Sequence, residues 1–262
     1  MSKDHQTLNE FVNRFWYVPS DIVARLAEAL VWQERSFKKP VLDIGCGDGS
    51  IGELIFKGKV IDMGIDLNQK AIETAADSDV YKKTRAADAT KLPFKNNSYQ
   101  TVVSNSTFEH INDDVQAVKE AYRVLEPGGY LYLTVPTDKF EAAVARLART
   151  EKNLARINQR LAHYHYHSLK DWRVILKRTG FQTVEFKYFF PERMVNVWYR
   201  FFRLVTFKPN KRELWSYLSD DRFKRFMPKK LIKVILFKYF QGFYGDLFSK
   251  KGCLLFIKAL KR

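Results

Sequence analysis

Cysteine is nearly absent from this chain: Cys46 and Cys253 are the only two in 262 residues. So few, and so far apart, they supply neither a disulfide framework nor a thiolate metal knuckle, and a reducing compartment is expected. Long apolar runs are missing too. No uncharged stretch approaches the roughly 20 residues that span a bilayer. Met1-Ser-Lys-Asp-His-Gln-Thr7 has no apolar segment of the kind a secretory signal carries, so a cytoplasmic location is expected. Internal repeats and low-complexity tracts are absent, and an apolar share of 46% gives ample material for a core. Acid is scarce in one region only. Residues 1–137 hold 16 Lys and Arg against 19 Asp and Glu, whereas residues 138–262 hold 29 against 10. A charge divided this way points to an anionic partner for the second half: a phospholipid surface, a phosphorylated substrate or nucleic acid.

Glycine is used sparingly, and three of the 12 fall within five residues. Val41-Leu-Asp-Ile44 is a short apolar run with one acid, suited to a buried parallel strand. Gly45, Gly47 and Gly49 follow, leaving the turn free of side chains so that a ligand can approach the backbone. The next helix, through Ile51 and Leu54, offers its free N–H groups. A nicotinamide-dinucleotide fingerprint would place a third glycine at position 50, which is Ser50. Asp43 suits a cationic ligand better than a pyrophosphate, and this favours S-adenosylmethionine, with its sulfonium and ammonium.

Downstream spacing agrees. Val60-Ile-Asp-Met-Gly-Ile-Asp66 is a second run ending in an acid, 21 residues after Gly45, where a strand-tip carboxylate meets ribose hydroxyls. Asp88-Ala89 closes a third run, and Gln100-Thr-Val-Val-Ser104-Asn105 forms a fourth that leads into Glu109-His110-Ile111. Glu126-Pro-Gly-Gly129 opens a fifth at Tyr130. This succession, with Leu92-Pro93-Phe94 after the third strand, resembles the class I S-adenosylmethionine-dependent methyltransferases, and within them the type 11-like subgroup. The likeness is close over about residues 38–136 and looser to Phe181. It implies an α/β fold: a doubly wound, seven-stranded, mostly parallel, Rossmann-like sheet with the last two strands, 181–190 and 252–260, antiparallel. It also implies S-adenosyl-L-methionine as cofactor, bound by Asp43, Gly45, Cys46, Gly47, Gly49, Asp66, Leu67, Asp88, Ala89, Ser104 and Asn105. Asp66 would hold the ribose, Asp88 with Ala89 the adenine, and Asp43 with the glycine loop the methionine end.

Local signals place the remaining elements. Ser20 is expected to cap a helix through Ile22, Leu26 and Leu30, and Asn68 a helix through Ile72. One helix is expected over about 140–161. Ser168 and Asp171 suggest a capping-box variant opening a helix that Gly180 ends. Between the last two strands, residues 191–250 form a basic, aromatic helical insertion into a methyltransferase domain of residues 1–190 and 251–262. It includes Trp198, Phe201, Tyr244 and Phe248 among interleaved bases. Pro228 to Phe240 could form a helix with Lys229, Lys230 and Lys233 on one side and an apolar face opposite. That face would be either the underside of an acceptor lid or a membrane-surface element.

His110, after the fourth strand, is the candidate base for deprotonating an acceptor, and a helix-start structural role competes with it. His163-Tyr-His-Tyr-His167 is the second cluster. In an extended chain its three histidines share one face, yet no acid or cysteine accompanies them at ligand spacing, so no metal site is expected. By resemblance, His163, His165 and Tyr166 would line the acceptor entrance, with His165 toward an anionic group. The expected function is O-methylation of a small-molecule or lipid-linked acceptor with an anionic group, by an enzyme that is cytoplasmic and peripheral at the inner face of the membrane. An RNA methyltransferase, whose interleaved aromatics and bases would track a single strand, and a non-catalytic S-adenosylmethionine-binding assembly factor are the alternatives.

Overall fold

A computed structural model describes residues 3–243, 249 and 251–262; Tyr244 and Phe248 lie outside them. The chain opens with α1 (Lys3–Phe15) and α2 (Pro19–Gln33), followed by β1 (Val41–Ile44), α3 (Ser50–Ile55), β2 (Met63–Asp66), α4 (Gln69–Ala75), β3 (Thr84–Ala86) and β4 (Tyr99–Asn105). A short 3₁₀ turn (Phe108–His110) leads to α5 (Asp114–Val124), β5 (Leu125–Pro136), α6 (Asp138–Ala148), α7 (Glu151–Leu161), α8 (Leu169–Thr179) and β6 (Phe181–Pro191). Then come α9 (Glu192–Thr206), α10 (Leu214–Ser219), α11 (Asp221–Lys224), α12 (Lys229–Gln241) and β7 (Gly252–Lys261).

The seven strands run in the order β3-β2-β1-β4-β5-β7-β6. β1 pairs parallel with β2 and β4, while β7 runs antiparallel between β5 and β6. The sheet order reverses direction at β1 and β4, and a doubly wound sheet binds its ligand at such a point, outside the carboxyl ends of the strands. Successive residues of each strand face opposite sides. Val41 and Val103 enter one core with α1, α2, α6 and α9, whereas Leu42 and Val102 enter a second with α5 and α8.

Local chemistry sets most element ends. Asn68 caps α4 by accepting from Lys70 N and Ala71 N, the Ser168–Asp171 capping box is complete, and Gly180 ends α8 with φ +106°. Two expectations need correction. Pro19 begins α2 and Ser20 is its second residue, because proline at the first helical position needs no N–H partner. The stretch over 140–161 is two helices, since Arg149 turns left-handed (φ 65°) and Thr150 caps α7 through Asn153 N.

Candidate active site

The carboxyl ends of β1, β2 and β4 and the loop after β3 surround a cavity of about 660 Å³ that contains Gly45, Asp66, Leu67, Asp88, Ala89 and His110. Gly45 is required sterically as well as conformationally: it has φ +85°, and a Cβ there would lie 2.2 Å from the Thr107 side chain. Gly45 N and Cys46 N donate to Ile65 O at 2.8 and 2.9 Å, tying the loop to β2. Asp66 shapes the same loop, accepting from Gly47 N at 3.0 Å and from Asn68 N at 2.9 Å. Asp88 Oδ1 accepts from Thr90 N and Thr90 Oγ1 at 2.8 and 2.7 Å. Leu67 is 77% exposed, an apolar side chain left uncovered at the cavity edge.

A smaller hollow of about 180 Å³ adjoins the loop, bounded by Arg25, Asp43, Cys46, Gly47 and Asn105. Asp43 is buried and accepts from the Tyr81 hydroxyl at 2.6 Å. Burial pushes its carboxyl up to about 7; the Tyr81 hydrogen bond opposes that shift and the nearby Asp66 reinforces it. Such a group gains most from a cation brought to it.

A third hollow, about 100 Å³, lies beyond Ser106 and His110, which line it and the main cavity alike. Glu109, His163, Phe140 and Trp198 complete its walls with Arg25 and Glu28. The His110 Nδ1 lies 3.0 Å from the Ala162 carbonyl. A carbonyl can only accept, so Nδ1 carries the hydrogen and the neutral ring keeps a lone pair on Nε2. Burial lowers the His110 pKa, favouring that neutral form. His163 sits edge-on to His110 with ring centroids 4.8 Å apart, and burial holds its pKa down at about 3. Glu109 is 4% exposed, burial pushes its carboxyl up to about 8, and its Oε2 has no hydrogen-bond partner among the described residues.

Several residues take other places than the sequence suggested. Ser104 lines none of these hollows; its hydroxyl donates to Ile44 O at 2.7 Å and ties β4 to β1. Asn105 borders the smaller hollow, but its amide is committed: Oδ1 accepts from Trp32 Nε1 and Thr134 Oγ1, and Nδ2 donates to Glu28. His165 does not face an anion site, because its Nε2 lies 2.9 Å from the Asn112 carbonyl and its ring stacks on His167. Tyr166 stands behind His163, its hydroxyl 2.9 Å from His163 Nδ1 and its ring stacked on Phe140. The three histidines do not share one face, because the 163–168 segment is no regular strand. The acids missing at local spacing arrive from the 3₁₀ turn after β4 (Glu109) and the first residue of α5 (Asp114). Ligand atoms of Glu109, His110 and His163, and likewise of Asp114, His165 and His167, lie within 4.8 Å of one another, donor sets that a divalent cation could share.

Sequence reasoning missed Arg25 and Glu28. Arg25 donates to both oxygens of Glu28, which is 1% exposed and also accepts from Asn105 and Ser106. The signal was the Arg-x-x-Glu spacing, which puts the two side chains on one side of α2. Tyr164, between His163 and His165, lines the main cavity.

The family model for a methyltransferase domain matches residues 42–133, the segment that builds every strand tip of this site. That segment is a methyltransferase domain of the class I S-adenosylmethionine-dependent kind. It is 30% identical over 119 residues to the mitochondrial arginine-hydroxylase NDUFAF5 of Mus musculus, an overlap of 44% of this chain and 34% of that protein. To the ubiquinone biosynthesis O-methyltransferase of Vibrio atlanticus it is 26% identical over 138 residues, 50% of this chain and 57% of that one. It therefore spans about a third to somewhat over a half of the length of these curated relatives. In fold it is similar to a possible histamine N-methyltransferase of Thermotoga maritima (TM-score 0.59, 18% identity, 99% of this chain and 100% of that one). It is likewise similar to geranyl diphosphate C-methyltransferase of Streptomyces coelicolor, solved with S-adenosyl-L-homocysteine (TM-score 0.56, 13% identity, 93% and 84%). The class I cofactor, S-adenosylmethionine, fits the residues present: a glycine turn in which a Cβ at Gly45 would collide with Thr107, two acids bordering one cavity, and the buried Asp43 carboxyl in the hollow beside it.

Proposed function

We propose that this chain transfers a methyl group from S-adenosylmethionine to an oxygen of a small or lipid-linked acceptor lodged between His110, His163, Phe140 and Trp198. The position of His110 carries the reading, since its ring borders the cofactor cavity and the adjoining hollow at once. S-adenosylmethionine supplies an electrophilic methyl on a sulfonium. The protein's own contribution is alignment and a proton acceptor. Asp43 neutralises the ammonium, Asp66 orients the ribose, and His110 Nε2 takes the proton from the acceptor hydroxyl as its oxygen takes the methyl. Phe140, Trp198 and Phe190 wall the hollow and keep water from competing.

The basic second half of the chain supports attachment to an anionic membrane surface, where a lipid-linked acceptor would be met. No described helix is long and apolar enough to cross a membrane, and the attachment proposed is a peripheral one through basic and apolar side chains. The relative named as an arginine-hydroxylase favours a second reading, in which the same cofactor site serves a different reaction.

Purified protein incubated with methyl-labelled donor and lipid, small-metabolite or RNA fractions tests both. Label is expected in an acceptor of the lipid or small-metabolite fraction. Asp66→Ala should weaken donor binding by roughly 1 to 3 kcal/mol through lost charge-assisted hydrogen bonds. Label in RNA alone would replace the acceptor class. Donor binding without transfer to any fraction would promote the second reading.

A further inference from the structure

Five arginines line one open cleft of about 1140 Å³ between the ends of α6 and α7 and the second half of α9. Arg146, Arg149 and Arg156 come from the first side, Arg200 and Arg203 from the second, and no Asp or Glu is among the lining residues. Arg146 has Glu192 at 2.6 Å. The other four are exposed and pair with no carboxylate among the described residues. Like charges gathered round one concave surface repel one another and concentrate a positive field there, a standing cost that an anion relieves. Arginine, unlike lysine, presents a planar fork that matches phosphate oxygens two at a time.

The walls between the guanidinium groups are apolar. Phe202 and Ile157 contribute the covered part, while Leu204 is 53% and Phe207 64% exposed at the rim. Large apolar side chains left in water beside unpaired arginines suit a ligand that has both a phosphate and a chain. We propose that this cleft binds the phosphate head group of an amphiphile, with its apolar chain against Leu204 and Phe207. The inference stands on the cleft alone and does not require methyl transfer.

Calorimetry on the whole chain tests it, using short-chain phosphatidic acid below its micellar concentration. Short-chain phosphatidylcholine and inorganic pyrophosphate serve as comparison probes. Phosphatidic acid is expected to bind, more weakly as salt rises, and at least tenfold more tightly than either comparison probe. The triple variant Arg156→Gln, Arg200→Gln, Arg203→Gln should lose at least tenfold in affinity. A control of equal charge, Lys170→Gln, Lys177→Gln, Arg178→Gln on α8 across the sheet, should not. S-adenosylmethionine binding, measured alongside, reports folding and keeps a failed cofactor assignment separate from a failed cleft. Equal losses in the two triple variants would overturn the proposal, because net charge would then explain the binding. Pyrophosphate binding as tightly as phosphatidic acid would overturn the amphiphile, and salt-dependent RNA binding without phosphatidic acid binding would overturn it in favour of nucleic acid.

Discussion

Two titratable residues decide how the site responds to pH and to mutation. His110 uses Nδ1 to hold the Ala162 carbonyl, and burial favours its neutral ring, so the same side chain is anchored and keeps Nε2 able to accept a proton. If it takes the acceptor proton, His110→Ala should slow the chemical step about a hundredfold or more in single-turnover measurements, with donor affinity nearly unchanged. An unaltered rate would assign the ring to holding the 3₁₀ turn against the end of α7. Asp43 makes a different prediction. Its folded pKa of about 7 stands above the ordinary 3.8, so the stability tied to its protonated form is complete below 3.8 and is lost as pH rises through 7. Above 7 the carboxylate is ready for the donor's ammonium. Thermal unfolding should therefore show a donor-induced gain in Tm that is larger at pH 8 than at pH 6, and Asp43→Asn should flatten that difference. A wild-type gain independent of pH would remove Asp43 from the methionine end.

At the scale of elements, what was legible in sequence was what local chemistry sets. The glycine loop had to turn where three glycines permit it, Asn68 and Ser168 had oxygens to offer their helix starts, and Gly180 could take φ +106° at no steric penalty. The break between α6 and α7 rests on an arginine in the left-handed region, which residue type does not announce. Thr150 was the one available hint, as a threonine inside an apparent helix. The site's second layer was hidden for another reason. Trp32 and Glu28 meet Asn105 across 73 and 77 residues of chain, and Tyr81 reaches Asp43 across 38. Read alone, Trp32 is a core residue and Glu28 a solvated one. Only the packing of α2 over the tip of β4 turns them into a network that fixes Asn105 and Ser106 beside the cavity. The histidine cluster failed likewise, since its acids come from the turn after β4 and the start of α5.

The whole molecule is asymmetric across its sheet. α5 and α8 cover one face, while α1, α2, α6, α9 and α12 build a thicker layer on the other, and much of the positive excess lies in that second layer and its connections. α12 closes the layer by seating Leu236 and Phe240 inward against α1 and α9, with Phe201 packed on Tyr239 and Phe240. The sequence had placed Lys229, Lys230 and Lys233 opposite a single apolar face. Instead Lys229 and Lys233 lie half-buried toward the packed side, and apolar residues occupy both sides. Leu231, Val234 and Ile235 are 58%, 51% and 56% exposed, flanked by the exposed Lys230 and Lys238. One face of α12 is thus packed on the domain, and the opposite face offers an apolar stripe to solvent. An exposed apolar stripe between lysines should enter an anionic bilayer interface, with each base contributing on the order of 1 kcal/mol that salt screens. Co-sedimentation is expected to be strong with anionic vesicles at low salt and weak with neutral ones. Leu231→Ser with Ile235→Ser should remove the part that survives high salt, and Lys230→Gln with Lys238→Gln the part that does not. Donor binding should persist in both, because these side chains point away from the sheet. Vesicle binding unchanged by the serine pair would mean that the outer face of α12 meets something other than lipid.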